Sequence, residues 1–307
     1  MGVTNGPLAG QVGIVTGGGR GIGAAVAHHA AAAGASMVVS DLGGGTDGTG
    51  RDTGAAQACA DEIVAAGGRA VADDGDVTSF EDASRTVERA VEEFGRVDFV
   101  VHSAGILRDG IFHKMSPEDF RAVLDVHLFG AFNIARAAAE RFRAQSSGAF
   151  VFMTSTSGLI GAVGQANYSA AKAGMVSLSR SIATDMSRFG VRSNAIAPFA
   201  YTRLTAQLDD VEGESSDRVR RMQAMTADTV APVATFLASP LAEDVTGQVF
   251  VVRQNEVFLM SQPRPLRSVH RSDGWDLESL RDTFVPSIRS YLYSLETSAE
   301  HFAWDPI

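Results

Sequence analysis

Short runs rich in valine, isoleucine and phenylalanine recur along the chain at residues 12–16, 36–40, 69–72, 97–102, 149–154, 191–196 and 248–253. Between them, apolar positions return with helical spacing over 21–33, 55–66, 80–94, 117–145 and 167–189. Strands that alternate with helices of ten or more residues predict βαβ units. Phe99-Val100-Val101 and Phe150-Val151-Phe152 are apolar at successive positions, which predicts strands covered on both faces. The pattern therefore predicts an α/β protein with a doubly wound, mostly parallel sheet in three layers. A single domain is expected over 8–260, with no internal boundary or repeat.

Two segments break the rhythm. Residues 42–54 form a glycine-rich loop longer than most strand-to-helix connections. Residues 261–307 open on Gln262-Pro263-Arg264-Pro265 and carry both tryptophans, Trp275 and Trp304, and two of the four tyrosines. So aromatic a segment can bury enough surface to offset the entropy of ordering it. An ordered C-terminal extension is expected, serving the packing of a homodimer or homotetramer, with lining of the substrate site as the alternative.

Composition narrows the classes of function. A net charge of −10 argues against a nucleic-acid partner or an anionic membrane surface, since both favour a basic face. No apolar stretch reaches the roughly 20 residues of a bilayer span, so no membrane span is expected. Residues 1–10 lack the basic patch and apolar core of a signal peptide. Cys59 is the only cysteine, so neither an intrachain disulfide nor a zinc cluster can form, and a reducing, cytoplasmic location is expected. Lysine occurs only at 114 and 172 in a chain that otherwise uses arginine. An ammonium kept against that background marks a position where a guanidinium would not serve.

The first strand runs into Gly17-Gly18-Gly19-Arg20-Gly21-Ile22-Gly23, which opens a helix. Glycine permits positive φ and close backbone approach, and the helix N-terminus offers free N–H groups to a pyrophosphate. Asp41 ends the second strand, eighteen residues past Gly23. A carboxylate there accepts the ribose hydroxyls of NAD and repels the extra phosphate of NADP. Arg20 pulls the other way, but Asp41 lies at the hydroxyl position itself, so NAD is the expected cofactor. Asp76-Val77 and Ser103-Ala104-Gly105 follow the third and fourth strands, at the edge where open α/β sheets bind ligands. The fifth strand delivers Ser155, and Tyr168 and Lys172 follow on one helix face. A phenol has a pKa near 10; a nearby ammonium is expected to lower it, so that Tyr168 acts as general acid/base while Ser155 hydrogen-bonds the substrate oxygen.

Together, Thr16-Gly17-x-x-x-Gly21-x-Gly23, Asp76-Val77, Ala104-Gly105, Ser155, Tyr168-x-x-x-Lys172 and Asn194-x-x-x-Pro198 resemble the short-chain dehydrogenase/reductase superfamily. The resemblance implies a Rossmann-like fold and hydride transfer at a carbinol carbon without a metal. It further implies that Lys172 holds the nicotinamide ribose and that Pro198, Ala200 and Thr202 lie along the nicotinamide ring. Asp41-Leu42-Gly43-Gly44, residues 104–109, Val126-His127-Leu128 and residues 164–172 resemble, more narrowly, the (3R)-hydroxyacyl-CoA dehydrogenase domains of peroxisomal multifunctional enzymes and their bacterial relatives in lipid and steroid breakdown. A lipid or steroid substrate, CoA-linked in the first instance, is implied. Free hydroxysteroids or terpene alcohols, the reductive direction, and a non-catalytic dinucleotide sensor are the alternatives.

The chain departs from the superfamily at three points. His102-Ser103 replaces the usual Asn-Asn, Phe199 replaces the glycine after Pro198, and His127 stands where the fourth catalytic member is usually Asn. A neutral His127 can serve a proton relay from Lys172 or bond backbone in the interior. The loop 199–227, acidic over 209–214, reads as a lid. Arg203, Arg218, Arg220 and Arg221 are candidates for thioester phosphates or for solvated surface charges.

Overall fold

In the computed structural model, the described residues are 6–203, 220 and 223–306. Seven strands, β1 (Val12–Thr16), β2 (Ser36–Ser40), β3 (Arg69–Asp73), β4 (Phe99–His102), β5 (Gly148–Met153), β6 (Val191–Phe199) and β7 (Val249–Arg253), run parallel in the order β3-β2-β1-β4-β5-β6-β7. An eighth strand, β8 (Glu256–Leu259), pairs antiparallel with β7 at the edge. The order reverses between β1 and β4, and the carboxyl ends of those two strands form the crevice where such sheets bind ligands.

Among the described residues the helices are α1 (Gly21–Ala32), α2 (Gly54–Ala65), α3 (Phe80–Phe94), α4 (Pro117–Leu124), α5 (Gly130–Gln145), α6 (Thr156–Leu159), α7 (Ala166–Met186) and α8 (Ala231–Ala238), besides short turns between them and in the tail. One face of the sheet packs on α1, α2 and α8 through Val26, Ala30, Cys59, Ile63, Ala234 and Leu237. The other packs on α3, α5 and α7 through Val87, Ala90, Ile134, Phe142 and Met175. Three layers result, as the apolar runs predict. α3 shows how local sequence sets a boundary. Ser79 accepts the Asp82 N–H at its start, and Gly95, at φ +84°, closes its end.

Four departures from the predicted elements have physical causes. The expected helix 117–145 is interrupted by a π-helical turn, Asp125–Phe129, that separates α4 from α5 and carries His127. β6 runs three residues past its expected end because its ladder with β7 continues to Phe199, whereas its pairing with β5 stops at Ile196. Pro198 therefore sits where β5 no longer asks for an N–H. β8 was not expected: it is a four-residue edge strand whose pairing depends on a tight turn at Gln254, φ +52°. Pro117–Gln145, π turn included, is long and apolar enough by length and composition to cross a membrane, against the expectation that no stretch is. Here it packs Val123, Ala131, Ile134, Ala138 and Phe142 inside the protein.

The tail returns to the sheet. Phe302 is buried with Ala197, Val251, Phe199 and Phe258 beside the β7–β8 edge.

Candidate active site

The glycine turn is built for close backbone approach. At φ +65°, Gly17 meets the β4 loop so tightly that a Cβ would come within 2.6 Å of the Ala104 backbone. A Cβ on Gly23 would lie 2.0 Å from the Gly17 carbonyl oxygen. α1 then begins at Gly21 with no side-chain cap and no acidic residue in its first turn, which leaves its N–H groups and positive dipole end for an anion. Thr202 comes to the same turn, since a Cβ on Gly21 would meet its Cγ2 at 3.6 Å. Ile22 packs partly buried against the core beneath.

Asp41 accepts the Gly19 N–H at 2.9 Å on one oxygen and the Gly43 N–H at 2.7 Å on the other. Its carboxylate is thus pinned at the end of β2 and keeps lone pairs for further donors. Arg20, expected to oppose it, is instead paired with Asp52 of the glycine-rich loop at 2.5 Å. Asp76 caps its own turn, accepting the Thr78 N–H and hydroxyl, and Asn133 of α5 holds the Val77 carbonyl at 2.9 Å. These groups fit a dinucleotide: a glycine cradle, an uncapped helix start and a fixed carboxylate.

Ser155 leaves β5 and caps α6, its Oγ accepting the Ser157 N–H at 3.1 Å. Its side chain also lies close enough to the Tyr168 hydroxyl to pull that group's pKa down. Lys172, one turn along α7, places Nζ 5.4 Å from the Tyr168 ring centroid and donates to the Met153 carbonyl at 2.5 Å. The three residues are therefore together. Their electrostatics correct the sequence expectation. Burial pushes the Tyr168 hydroxyl up to about 12, against the pull of Ser155, and the Asp109 charge adds to the rise. The same burial brings Lys172 down to about 7. In this interior the desolvation of each group outweighs the attraction expected between ammonium and phenolate.

His127 lies in the π turn with its ring edge-on to Tyr168, centroids 5.2 Å apart. Nε2 is 2.8 Å from the Ile106 carbonyl oxygen and 3.1 Å from the Ile106 N–H. Gly105 makes room for it, since a Cβ there would lie 2.3 Å from its Cε1. Burial holds the ring well below its ordinary pKa, hence neutral. The geometry favours backbone bonding over the relay among the two expected roles. His102 is likewise buried, its pKa lowered to about 3, with Nδ1 2.8 Å from the Thr16 hydroxyl.

The sequence reading missed the polar chain that supports this trio. Asn167, fully buried, donates to the Arg108 carbonyl at 2.8 Å and accepts the Tyr168 N–H at 2.7 Å. Ser157 donates to Gln165, which donates to Asp109. The signal available was an amide side chain immediately before Tyr168. Of the candidates for thioester phosphates, Arg203 and Arg220 are exposed; Arg218, Arg221 and the acidic segment 209–214 lie outside the described residues.

Comparison with known proteins agrees with this geometry. The family profile described as Enoyl-(Acyl carrier protein) reductase matches residues 17–254. A short-chain type dehydrogenase/reductase of Mycobacterium tuberculosis is 44% identical over 248 residues, covering 80% of this chain and 82% of that one. The hydroxyacyl-CoA dehydrogenase ChsB1 of the same organism is 39% identical over 297 residues, 91% and 90% of the two chains. The peroxisomal multifunctional enzyme type 2 of Mus musculus is 35% identical over 279 residues, but the match spans only 36% of that longer protein. A solved short chain dehydrogenase from Mycobacterium avium superposes with a TM-score of 0.81 at 39% identity, covering 94% of this chain and 98% of that one. The chain belongs to the short-chain dehydrogenase/reductase family, whose members are oxidoreductases that use a nicotinamide dinucleotide.

Proposed function

We propose that this protein is an NAD-dependent dehydrogenase that interconverts a secondary alcohol and a ketone on a 3-hydroxyacyl-CoA or a steroid-derived CoA thioester. One observation carries the choice of NAD. The Asp41 carboxylate is held at the end of β2 by two backbone N–H groups, while Arg20 is committed to Asp52. A 2′-phosphate would meet a fixed negative charge with Arg20 already neutralised.

Gly17, Arg20, Gly21, Ile22 and Gly23 would hold the dinucleotide's pyrophosphate end, and Asp41 its ribose. Asp76, Val77, Ser103, Ala104 and Gly105 would flank the adenosine half and the crevice floor. Pro198, Ala200 and Thr202, with Tyr168 and Lys172, would border the nicotinamide half. When bound, the nicotinamide supplies the hydride acceptor or donor. In alcohol oxidation Tyr168 takes the hydroxyl proton while Ser155 donates a hydrogen bond to the same oxygen. Lys172, its Nζ 5.4 Å from the Tyr168 ring centroid, would set the charge beside that hydroxyl, and His127 keeps the segment 105–106 in place beside Tyr168.

The substrate class draws on relatives: the proteins named hydroxyacyl-CoA dehydrogenase and peroxisomal multifunctional enzyme match over most of this chain. A cytoplasmic location is proposed separately, on the free, buried Cys59, and a homodimer or homotetramer on the aromatic C-terminal extension. The test follows nicotinamide absorbance with NAD and NADP against (3R)- and (3S)-hydroxyacyl-CoAs, hydroxysteroids and simple alcohols. Turnover of a (3R)-hydroxyacyl-CoA with at least tenfold preference for NAD in kcat/KM is expected. A preference for NADP would overturn the role given to Asp41, and tight NAD binding without turnover would favour a sensor.

A further inference from the structure

The C-terminal tail reaches the catalytic segment. Ser298 donates its N–H to the Gly161 carbonyl at 2.9 Å and its hydroxyl to Thr156 Oγ1 at 2.5 Å, both hydroxyls being buried. Thr156 directly follows Ser155 and opens α6. Four residues on, Phe302 joins the buried cluster against which Leu159 and Ile160 of the same segment pack, its ring 5.1 Å from that of Phe199 at the end of β6. Arg253 secures this return, its guanidinium donating to the Phe302 and Trp304 carbonyls, and Trp304 donates to Glu256 at 3.2 Å.

α6 is a single turn of four residues, too short to hold its own register. Ser155 depends on that register, because its Oγ caps the turn through the Ser157 N–H. A hydroxyl that must meet a substrate oxygen loses rate steeply with small misplacement. Tethers on α6 are therefore tethers on Ser155, and the tail supplies them from 142 residues away.

We propose that residues 297–304 complete the active site, with Ser298 as a positioning residue that acts through Thr156 on Ser155. The proposal rests on the reading of Ser155 as the residue that binds the substrate oxygen. The strap also presses on Phe199, the residue before Ala200, so it braces both walls next to the reacting carbon.

The full-length variants Ser298→Ala, Thr156→Val, their double and Ser298→Thr test it, with Ser155→Ala as control. Against a secondary alcohol that the wild type oxidises, Ser298→Ala and Thr156→Val are each expected to lower kcat about 5- to 20-fold. KM for NAD should stay within about twofold. The double variant should be no worse than either single one, because both remove the same contact. Ser298→Thr, which keeps the hydroxyl, should recover most of the rate. Independently of turnover, amide exchange over 155–161 should quicken in Ser298→Ala while the rest of the sheet is unchanged. Multiplying losses, an unchanged kcat, or unaltered exchange over 155–161 would each overturn the strap's role. If Ser155→Ala alone retained wild-type kcat, the reading of Ser155 would fail first; if it were inactive while Ser298→Ala was normal, only the strap would fall.

Discussion

Lys172 on α7 and Arg253 at the end of β7 are excluded from solvent to the same degree, 4% and 5% exposed. Their surroundings differ. Arg253 meets Glu256 at 3.3 Å, donates to two tail carbonyls and lies between the rings of Phe199 and Trp304, 5.7 and 5.3 Å from their centroids. Lys172 donates to one carbonyl, and no carboxylate pairs with it among the described residues. A buried charge with a counter-charge and bonded terminal nitrogens holds structure together, even though the Arg253 Nε itself has no partner. A buried charge without one holds its proton weakly, which is what an acid/base site needs. The comparison thus gives the acid/base role proposed for Lys172 and the structural role of Arg253 distinct physical grounds.

The same substitution at both positions should give different results. Lys172→Met is expected to lower kcat by about 10³-fold or more, an effect in the range of lost acid–base catalysis. Its thermal stability should hold or rise. With a native pKa of about 7 against an ordinary 10.5, the unfolded chain binds more protons than the native one between those values. Stability from this group is therefore lowest below pH 7 and rises as pH climbs from about 7 toward 10.5. At neutral pH the penalty is on the order of 4 kcal/mol. Melting curves of wild type should show that rise between pH 7 and 10, and those of Lys172→Met should lack it. A variant that melts far below wild type at pH 7 would break the comparison, because Lys172 would then be structural as well.

Arg253→Met should act first on stability. It leaves the half-buried Glu256 without its cation and frees the tail carbonyls, so a loss of about 2–3 kcal/mol is expected in urea unfolding. Below the melting range, NAD affinity should stay within a few-fold, since the dinucleotide cradle lies at the β1–β4 crevice. Replacing Arg253 and Glu256 together should cost less than the single change. An undiminished cost in the double variant would show that the tail carbonyls and rings, not Glu256, carry the clamp.

What the sequence made legible follows the same division. The glycine turn, Asp41 and the pair Tyr168 and Lys172 could be read because their chemistry depends on local spacing: a turn after a strand, or four residues on a helix. The parallel sheet was legible from the alternation of short apolar runs with long amphipathic ones. The Arg253 clamp was not, because it joins residues 49 and 51 positions apart through backbone carbonyls that any residue type would offer. The π turn at Asp125–Phe129 was not legible either, since its apolar spacing reads as ordinary helix. The direction of the Tyr168 shift failed for a related reason. Spacing reported that an ammonium is near, but only the fold reports how deeply both groups are buried.

Asp109 offers the finest test, because it is the carboxylate that could have made Lys172 resemble Arg253. It accepts from Gln165 at 2.8 Å, and the neighbouring Arg108 pairs with Asp119 instead. Its charge acts on Tyr168, raising it, alongside the burial that dominates and against the pull of Ser155. The other groups facing Tyr168 are Lys172 and the neutral His127. Asp109→Asn keeps the acceptor for Gln165 and removes the charge. Tyr168 should then lose its proton more readily, and the rising limb of kcat/KM for alcohol oxidation should move to lower pH. Asp109 is a surface residue, so screening limits the shift to a few tenths of a pH unit, about a twofold gain on the acid side. The gain should shrink as salt is added. A limb that moved to higher pH would mean that Asp109 serves as the distant counter-ion of Lys172, and the two buried cations would then differ in degree rather than in kind.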